Sequence, residues 1–272
     1  MAGVSTESRL ALAEAFEQRF AADASTTTSN ELFAVANLLD GNGALRRGLT
    51  DPSREAEQRR GIAASVLEGK VYPSVRELVT FAAGSRWSAE RDLADALEHV
   101  AVLAAAAAAE RRGGAEAVTA VLEDLLRFAG VVEADARLQN ALTDQRATAE
   151  AKKRLTGEVV SLRTPEGREL VNQAVEHPRG ALPAALAERF AEVLVAIQRR
   201  SIAKVTVSAP LDDQRRERLQ RALSSIYGKD LALDLTVDPE IIGGIKVQVG
   251  DDVIDGSVMA RISDLGRAMT AS

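Results

Sequence analysis

Cysteine is absent from the 272 residues of this chain, which excludes disulfide bonds and thiolate chemistry and is typical of a reducing compartment. Aromatic residues make up only 3% of the sequence, whereas hydrophobic residues of all kinds make up 46%. The core must therefore be built mainly from alanine, leucine and valine. Side chains of this size favour closely packed helices.

Long apolar runs and an excess of basic residues are also missing. The longest apolar run, Val100 to Ala109, is far shorter than the roughly 20 residues needed to cross a bilayer. The first residues lack a basic region followed by an apolar run, so we expect no secretion signal. The net charge of −6 and a pI near 5.2 argue against nucleic acid as the main partner. We predict no nucleic acid binding and no direct membrane insertion.

Groups that could perform chemistry are scarce. The two histidines, His99 and His177, have no ligand cluster near them in the sequence. Gly243-Gly244 lacks the Gly-Lys-Ser/Thr of a phosphate-binding loop, and a strand bend explains it better. Ser257 lacks the glycine-flanked elbow of a nucleophile, and a helix cap explains it better. We therefore predict no catalytic residue, no metal and no cofactor.

Clusters of charge have simple structural explanations. Asp251, Asp252 and Asp255 favour turns rather than a cation site. The basic run of Arg215, Arg216, Arg218 and Arg221 is interleaved with acidic residues, as on a solvated helix face. From Asp230 to Asp255 there are seven acidic residues and one lysine, a net charge of −6. Such a surface would suit a partner segment that carries basic residues.

A helical pattern occurs twice along the chain. Leu45-x-x-x-Leu49-Thr50-Asp51 recurs 93 positions later as Leu138-x-x-x-Leu142-Thr143-Asp144. Arg76-Glu77-Leu78-Val79 recurs 92 positions later as Arg168-Glu169-Leu170-Val171. We interpret this as an internal duplication. It predicts two tandem related helical bundles, at 1–112 and 113–201, that share or abut at the long helix through His99.

The periodicity changes after Arg200. Alternating residues predict strands, and helical spacing predicts a helix between the first two of them. The segments are Lys204 to Ser208, the helix Asp213 to Tyr227, Leu231 to Val237, Ile245 to Val249, the short run Val253-Ile254, and a last helix after Ser257. The fold class is therefore mainly α with a small α/β domain at 202–272, in the order strand-helix-strand-strand-helix.

A short segment near the C-terminus resembles a known family. The run P-E-I-I-G-G-I-K-V-Q-V-G-D-D-V-I-D-G-S-V begins at Pro239 and is similar to the C-terminal signature of the ATP synthase delta subunit. That family is the bacterial relative of the mitochondrial oligomycin-sensitivity-conferring protein. Its N-terminal domain is a single six-helix bundle, so this chain resembles the lengthened actinobacterial form, in which the helical module is duplicated.

The resemblance implies a function without catalysis. Family members are stator components of the rotary proton-translocating ATP synthase, at the cytoplasmic face of the cell membrane. They join the N-terminal helices of the alpha subunits to the C-terminal helices of the b subunits and so resist the torque of the rotor. The expected partners of this chain are therefore alpha and b chains.

The same resemblance implies two sets of binding residues. In the family, an alpha helix docks against the first and fifth helices of the bundle, which here gives Leu12, Phe16, Leu78 and Val79 in the first copy and Leu93, Leu97, Leu170 and Val171 in the second. The second copy is favoured, because it precedes the C-terminal domain directly. The b subunit is expected on the C-terminal domain, whose signature residues are Gly243, Gly244, Gly250, Asp255, Gly256 and Ser257.

Two other classes of function remain open from the residues alone. The chain could be a soluble helical adaptor or scaffold unrelated to ATP synthase, since amphipathic helices with spare apolar faces accept other helices. It could also be an enzyme, such as a transferase that uses the C-terminal α/β domain. An enzyme would need a base and a ligand-binding loop, and the sequence shows neither.

Overall fold

A computed structural model describes residues 2–200, 202–227, 231–239, 244–249 and 252–255. The chain forms two compact units, Met1–Leu194 and Val195–Ser272. The first unit is helical and the second contains a small sheet with a helix. The predicted fold class, mainly α with a small α/β part at the C-terminal end, is therefore confirmed.

The helices have the following bounds: α1 Ala2–Arg19, α2 Thr26–Gly41, α3 Gly43–Thr50, α4 Ala56–Leu67, α5 Pro73–Gly84, α6 Asp92–Ala134, α7 Ala136–Thr143, α8 Ala149–Val159, α9 Pro165–Glu176, α10 Pro183–Arg200 and α11 Asp213–Tyr227. A 3₁₀ turn, Ala21–Asp23, follows α1. The strands are β1 Ile202–Val207, β2 Ala232–Val237, β3 Ile245–Val249 and β4 Asp252–Asp255.

The alanine-rich helix α6 is the centre of the first unit. Gly113 and Gly114 have non-helical backbone angles and divide it into a first arm, 92–112, and a second arm, 115–134. Every residue from Val100 to Ala106 in the first arm is buried. Helices α1 and α2 both contact this arm. It is hydrogen-bonded to α1 through Ser5 and to α2 through Ser29. Small side chains let the neighbouring helices approach it closely.

The second half of the helical unit repeats the first in its helix order. The helices α2 to α5 and the first arm of α6 are followed by the second arm and α7 to α10. Leu49 and Leu142, the predicted counterparts, are both buried. So are Leu78 and Leu170, at 1% and 0% exposure. Equivalent positions therefore have equivalent burial, as a duplication predicts.

Local hydrogen bonds repeat as well. The hydroxyl groups of Thr50 and Thr143 donate to backbone carbonyls four residues earlier, at 2.9 and 2.8 Å. The carboxylates of Asp51 and Asp144 each accept a hydrogen bond, 2.9 Å long, from the backbone N–H two residues later. These bonds close the same turn after α3 and after α7. The division of the helical part into two bundles at residue 112 stays a prediction, because the first unit is compact as a whole.

A third repeated bond differs in strength. Glu31 in α2 accepts one hydrogen bond from the backbone N–H of Tyr72, at 2.7 Å, just before α5. Its counterpart Asp124, in the second arm of α6, is fully buried and bonds to the residues just before α9. Asp124 accepts from the backbone N–H groups of Arg163 and Thr164 and from the Thr164 hydroxyl, at 2.7 to 3.1 Å. The same helix start is thus fastened once in the first copy and several times in the second.

The second unit has a sheet with the strand order β2-β1-β3-β4. Strands β1 and β2 are parallel and are joined through α11, whereas the β1–β3 and β3–β4 pairs are antiparallel. Alternation places one face of the sheet in a core with α11. That core contains Ala203, Val205, Val207, Leu223, Leu231, Val247 and Val249. The predicted strand segments and the helix Asp213–Tyr227 are confirmed, and the predicted last helix lies outside the described residues.

Candidate partner-binding surfaces

The side chains predicted to bind the alpha subunit lie in the core of the helical unit. All are at most 1% exposed: Leu12, Phe16, Leu78, Val79, Leu93, Leu97, Leu170 and Val171. They lie on the predicted helices, α1 and α5 in the first copy and α6 and α9 in the second. A partner helix could contact these atoms only if the helices that cover them moved. Whether they take part in binding stays a prediction.

The two predicted helix pairs are each joined by an ion pair. Arg19 at the end of α1 bonds to Glu77 in α5, and both side chains are about half exposed. Arg112, 93 positions after Arg19, donates two hydrogen bonds to Glu166 in α9, at 2.9 and 3.1 Å. The hydrogen bond to Glu166 raises the pKa of Arg112. Because the Glu166 side chain is only 3% exposed, the second pair is held more firmly.

Accessible positions do occur on the same helical faces. Ala108 lies eleven residues after Leu97 in α6, which is close to three full turns and therefore the same face. It is half-buried, and so is its counterpart Ala15 in α1. These alanines mark where an approaching helix could meet the α6–α9 and α1–α5 pairs.

A buried cluster of charges connects the two copies. Arg179, in the loop between α9 and α10, has a side chain only 4% exposed. It donates hydrogen bonds to Glu98 at 3.0 Å and to Asp95 at 2.7 Å, both in α6, and its Nε lies 3.7 Å from Asp40 in α2. Arg189 in α10 also bonds to Glu98, at 3.3 Å. The cluster therefore fixes the start of α10 to helices of the first copy.

The cluster was not predicted from the sequence. Arg179 has a left-handed backbone with φ of 51°, and Gly180 follows with φ of 84°. The Arg-Gly turn after Pro178 gives a local signal for that backbone. Nothing in the spacing indicates the acidic partners, which lie more than 80 residues earlier in the chain.

Of the predicted b-binding residues, two fall within the described part of the chain. Gly244 has φ of 84° and comes directly before β3, so its lack of a side chain fits the predicted strand bend. Asp255 ends β4 and is paired in register with Lys246 of β3. Gly243, Gly250, Gly256 and Ser257 lie outside the described residues.

A basic cleft of about 480 Å³ lies between α8 and α9. Lys153, Arg154 and Arg168 line it together with Ser161 and Asn172. Lys153 is already paired with Glu176, and the hydrogen bond between them raises the pKa of Lys153. The cleft is therefore a solvated basic surface with part of its charge neutralised.

His99 is half-buried in α6 and His177 is exposed at the end of α9. Among the residues that the structure describes, no group of three or more acidic, histidine or cysteine side chains is placed to hold a metal ion. Within the same residues, no helix is both long and apolar enough to span a membrane.

The family model of the ATP synthase delta (OSCP) subunit matches residues 100–269. This segment begins within the first arm of α6 and continues through the second helical copy and the sheet. The part before residue 100 lies outside the family model.

Curated relatives match almost the whole chain. ATP synthase subunit delta of Kocuria rhizophila is 41% identical over 93% of this chain and 94% of the relative. The protein of the same name from Renibacterium salmoninarum is 40% identical over 99% of both chains. That of Streptomyces coelicolor is 38% identical over the full length of both. These relatives therefore have the first helical copy as well.

Proposed function

Because this chain belongs to the ATP synthase delta (OSCP) subunit family, we propose that it is a non-catalytic stator subunit of the rotary ATP synthase. It joins the N-terminal helices of the alpha subunits to the C-terminal helices of the b subunits at the cytoplasmic face of the membrane. The observation that supports this most is the family match from residue 100 to residue 269. It covers one helical copy and the sheet domain together, the two parts that the two partners need.

The direct test is reconstitution. An affinity-tagged chain should co-purify with alpha and b chains from solubilised membranes. Membranes stripped of the chain should still hydrolyse ATP, since no catalytic group is lost, but should pump protons only after the chain is added back. A chain that binds neither alpha nor b would contradict the proposed role. Proton pumping that is unchanged without the chain would exclude the stator role.

The alpha helices are assigned to the second copy, at the α6–α9 pair. Three observations support this choice. The family model covers the second copy from residue 100 onwards and none of the helices α1 to α5. The pair is closed by the buried Glu166, which accepts two hydrogen bonds from Arg112. The half-buried Ala108 leaves room for an approaching helix on the face that carries Leu97.

Substituting arginine at Ala108 should block alpha binding. A long charged side chain there would stand in the path of the docking helix, and we expect the affinity for an alpha N-terminal peptide to fall about tenfold or more. The matched control is Ala15→Arg at the equivalent position of α1, which should bind as the wild type does. Titration of the peptide onto each full-length variant measures both. The opposite result would place the alpha helix on the α1–α5 pair.

The b helices are assigned to the second unit. In the strand order β2-β1-β3-β4, the outermost strands β2 and β4 carry exposed apolar side chains. Val237 ends β2, and Val253 and Ile254 lie on β4, at 45 to 52% exposure. Exposed acidic residues, Asp234 and Asp252, lie on the same two strands. Each edge of the sheet therefore offers both apolar and charged groups to a b helix.

Replacing Gly244 with valine should weaken b binding. A β-branched residue at φ of 84° is strained by about 1–3 kcal/mol, and the strain falls next to β3. The affinity of the full-length chain for a b C-terminal peptide should fall, while binding of an alpha peptide is retained. Gly69→Val, which creates similar strain at φ of 68° in the helical unit, is the control. Equal b affinity in both variants would contradict the assignment.

A further inference from the structure

The two helical copies differ in how one face of their equivalent helices is covered. In the first copy this face lies on α2 and is covered by the second copy. Phe33 packs against Phe190 of α10, with ring centroids 5.8 Å apart. Asn37 exchanges two hydrogen bonds with Gln173 of α9, at 3.0 and 3.2 Å. Asp40 faces Arg179. We call these three positions, 33, 37 and 40, the covered stripe.

The equivalent stripe of the second copy is open. Positions 93 residues later are Leu126, Gly130 and Glu133, on the second arm of α6. Leu126 is 50% exposed, whereas Phe33 is 3% exposed. Gly130 and Glu133 are exposed too, and a Cβ atom at Gly130 would meet nothing within 4 Å. Glu133 makes no ion pair with any residue that the structure describes. We call these three residues the open stripe.

The contrast carries more weight than the exposure itself. A single exposed leucine is common on protein surfaces and needs no explanation. Here, however, Leu126 is one of three exposed residues that stand at the positions equivalent to the covered stripe. The three positions are spaced by four and three residues, so they lie on one helical face about two turns long. An apolar side chain stands at one end of each stripe and a carboxylate at the other.

We propose that the open stripe binds a helix of another polypeptide. The covered stripe shows what chemistry fits such a face: a bulky apolar side chain against position 126 and a cation against the carboxylate at position 133. On the first copy, Phe190 and Arg179 supply these groups. The partner is therefore an amphipathic helix that carries a large apolar residue and is preceded by an arginine or lysine, as Arg179 precedes α10. The proposal does not depend on the assignment of alpha or b chains.

A second copy of this chain does not fit the open stripe. To continue the repeat, it would have to present the residue that corresponds to Phe190. The repeat offsets of 93 and 92 give Leu97 and Glu98 for that residue, and both are buried in the first arm of α6. The surface that would meet the open stripe is thus already used inside each chain, so the proposed occupant is a different polypeptide.

The test titrates the full-length chain with a synthetic peptide that has the sequence of residues 176–197 and therefore contains both Arg179 and Phe190. We expect measurable binding, and Leu126→Asp should weaken it about tenfold or more because a charge would face the apolar side chain. The matched control is Leu38→Asp. Leu38 is 44% exposed on α2 but lies outside the covered stripe, so this variant should bind the peptide as the wild type does.

A charge exchange provides a second, independent readout on an exposed position that does not threaten the fold. Glu133→Lys should weaken binding of the peptide, and a peptide with Arg179→Glu should bind this variant better than the original peptide does. The recovery should shrink at high salt, because surface charges are screened. Absent peptide binding, equal affinity of Leu126→Asp and wild type, or no recovery on charge exchange would each overturn the proposal. So would dimerisation of the chain that Leu126→Asp abolishes.

Discussion

Replacing Arg179 with methionine is expected to lower the free energy of unfolding of the helical unit by about 3–5 kcal/mol, the usual cost of removing one partner from a buried ion pair. The loss comes mainly from Glu98, whose side chain is 7% exposed and would keep only its contact with Arg189. Asp95 and Asp40 are more exposed, so water can replace the arginine there at a smaller cost. Chemical denaturation of the variant and the wild type measures the difference.

Two further variants make this expectation specific. Arg163→Met removes a surface ion pair with Glu123, in which both side chains are more than half exposed, and should cost less than about 1 kcal/mol. Combining Arg179→Met with Glu98→Gln should recover part of the stability, because the uncompensated buried charge is gone. If Arg179→Met cost no more than Arg163→Met, the cluster would contribute nothing to joining the two copies.

Replacing Asp124 with alanine should have a comparable effect, about 3–4 kcal/mol. The carboxylate is fully buried and accepts hydrogen bonds from two backbone N–H groups and one hydroxyl. Each of these donors would be left unsatisfied, at a cost of about 1–3 kcal/mol that is not fully additive. The start of α9 should loosen, because Thr164 would lose the group that orients it. Hydrogen exchange of the α9 amides would report this locally.

The duplication supplies a matched control for the experiment. Glu31→Ala removes the equivalent acid of the first copy, which accepts a single exposed hydrogen bond from Tyr72. Water can replace it, so we expect a loss of less than about 1 kcal/mol. The two substitutions thus compare the same contact at two depths of burial. Equal losses in the free energy of unfolding would mean that burial of the Asp124 carboxylate does not set its contribution to stability.

Periodicity predicted the elements well because it reports which face of each segment is apolar. The alternation of Lys204 to Ser208 and the helical spacing from Asp213 to Tyr227 both correspond to elements of the structure. The two Leu-Thr-Asp anchors correspond to the ends of α3 and α7, with the same turn after each. These features depend on local sequence, so they could be predicted without knowledge of the tertiary contacts.

The candidate binding residues were harder to predict for the same reason. An apolar face is buried first against the helices of its own chain, and Leu12, Leu97 and Leu170 are completely covered there. Apolar spacing therefore identifies the core and not the surface that remains for a partner. The buried charges of Arg179 and Asp124 depend on residues 39 to 139 positions away, which no local pattern indicates. Comparing the two copies position by position was the signal that could have found the open stripe.

The first arm of α6 has a consequence for how such a chain can grow. It is the last helix of the first copy and, because Arg112 bonds to Glu166 of α9, also the first helix of the second copy. The repeated segment is 93 residues long, and the helix before it supplies the first helix of the new copy. Duplication of this segment inserts a new layer into an existing array without adding a linker or a free end. Each added copy therefore uses the last helix of the copy before it as its own first helix.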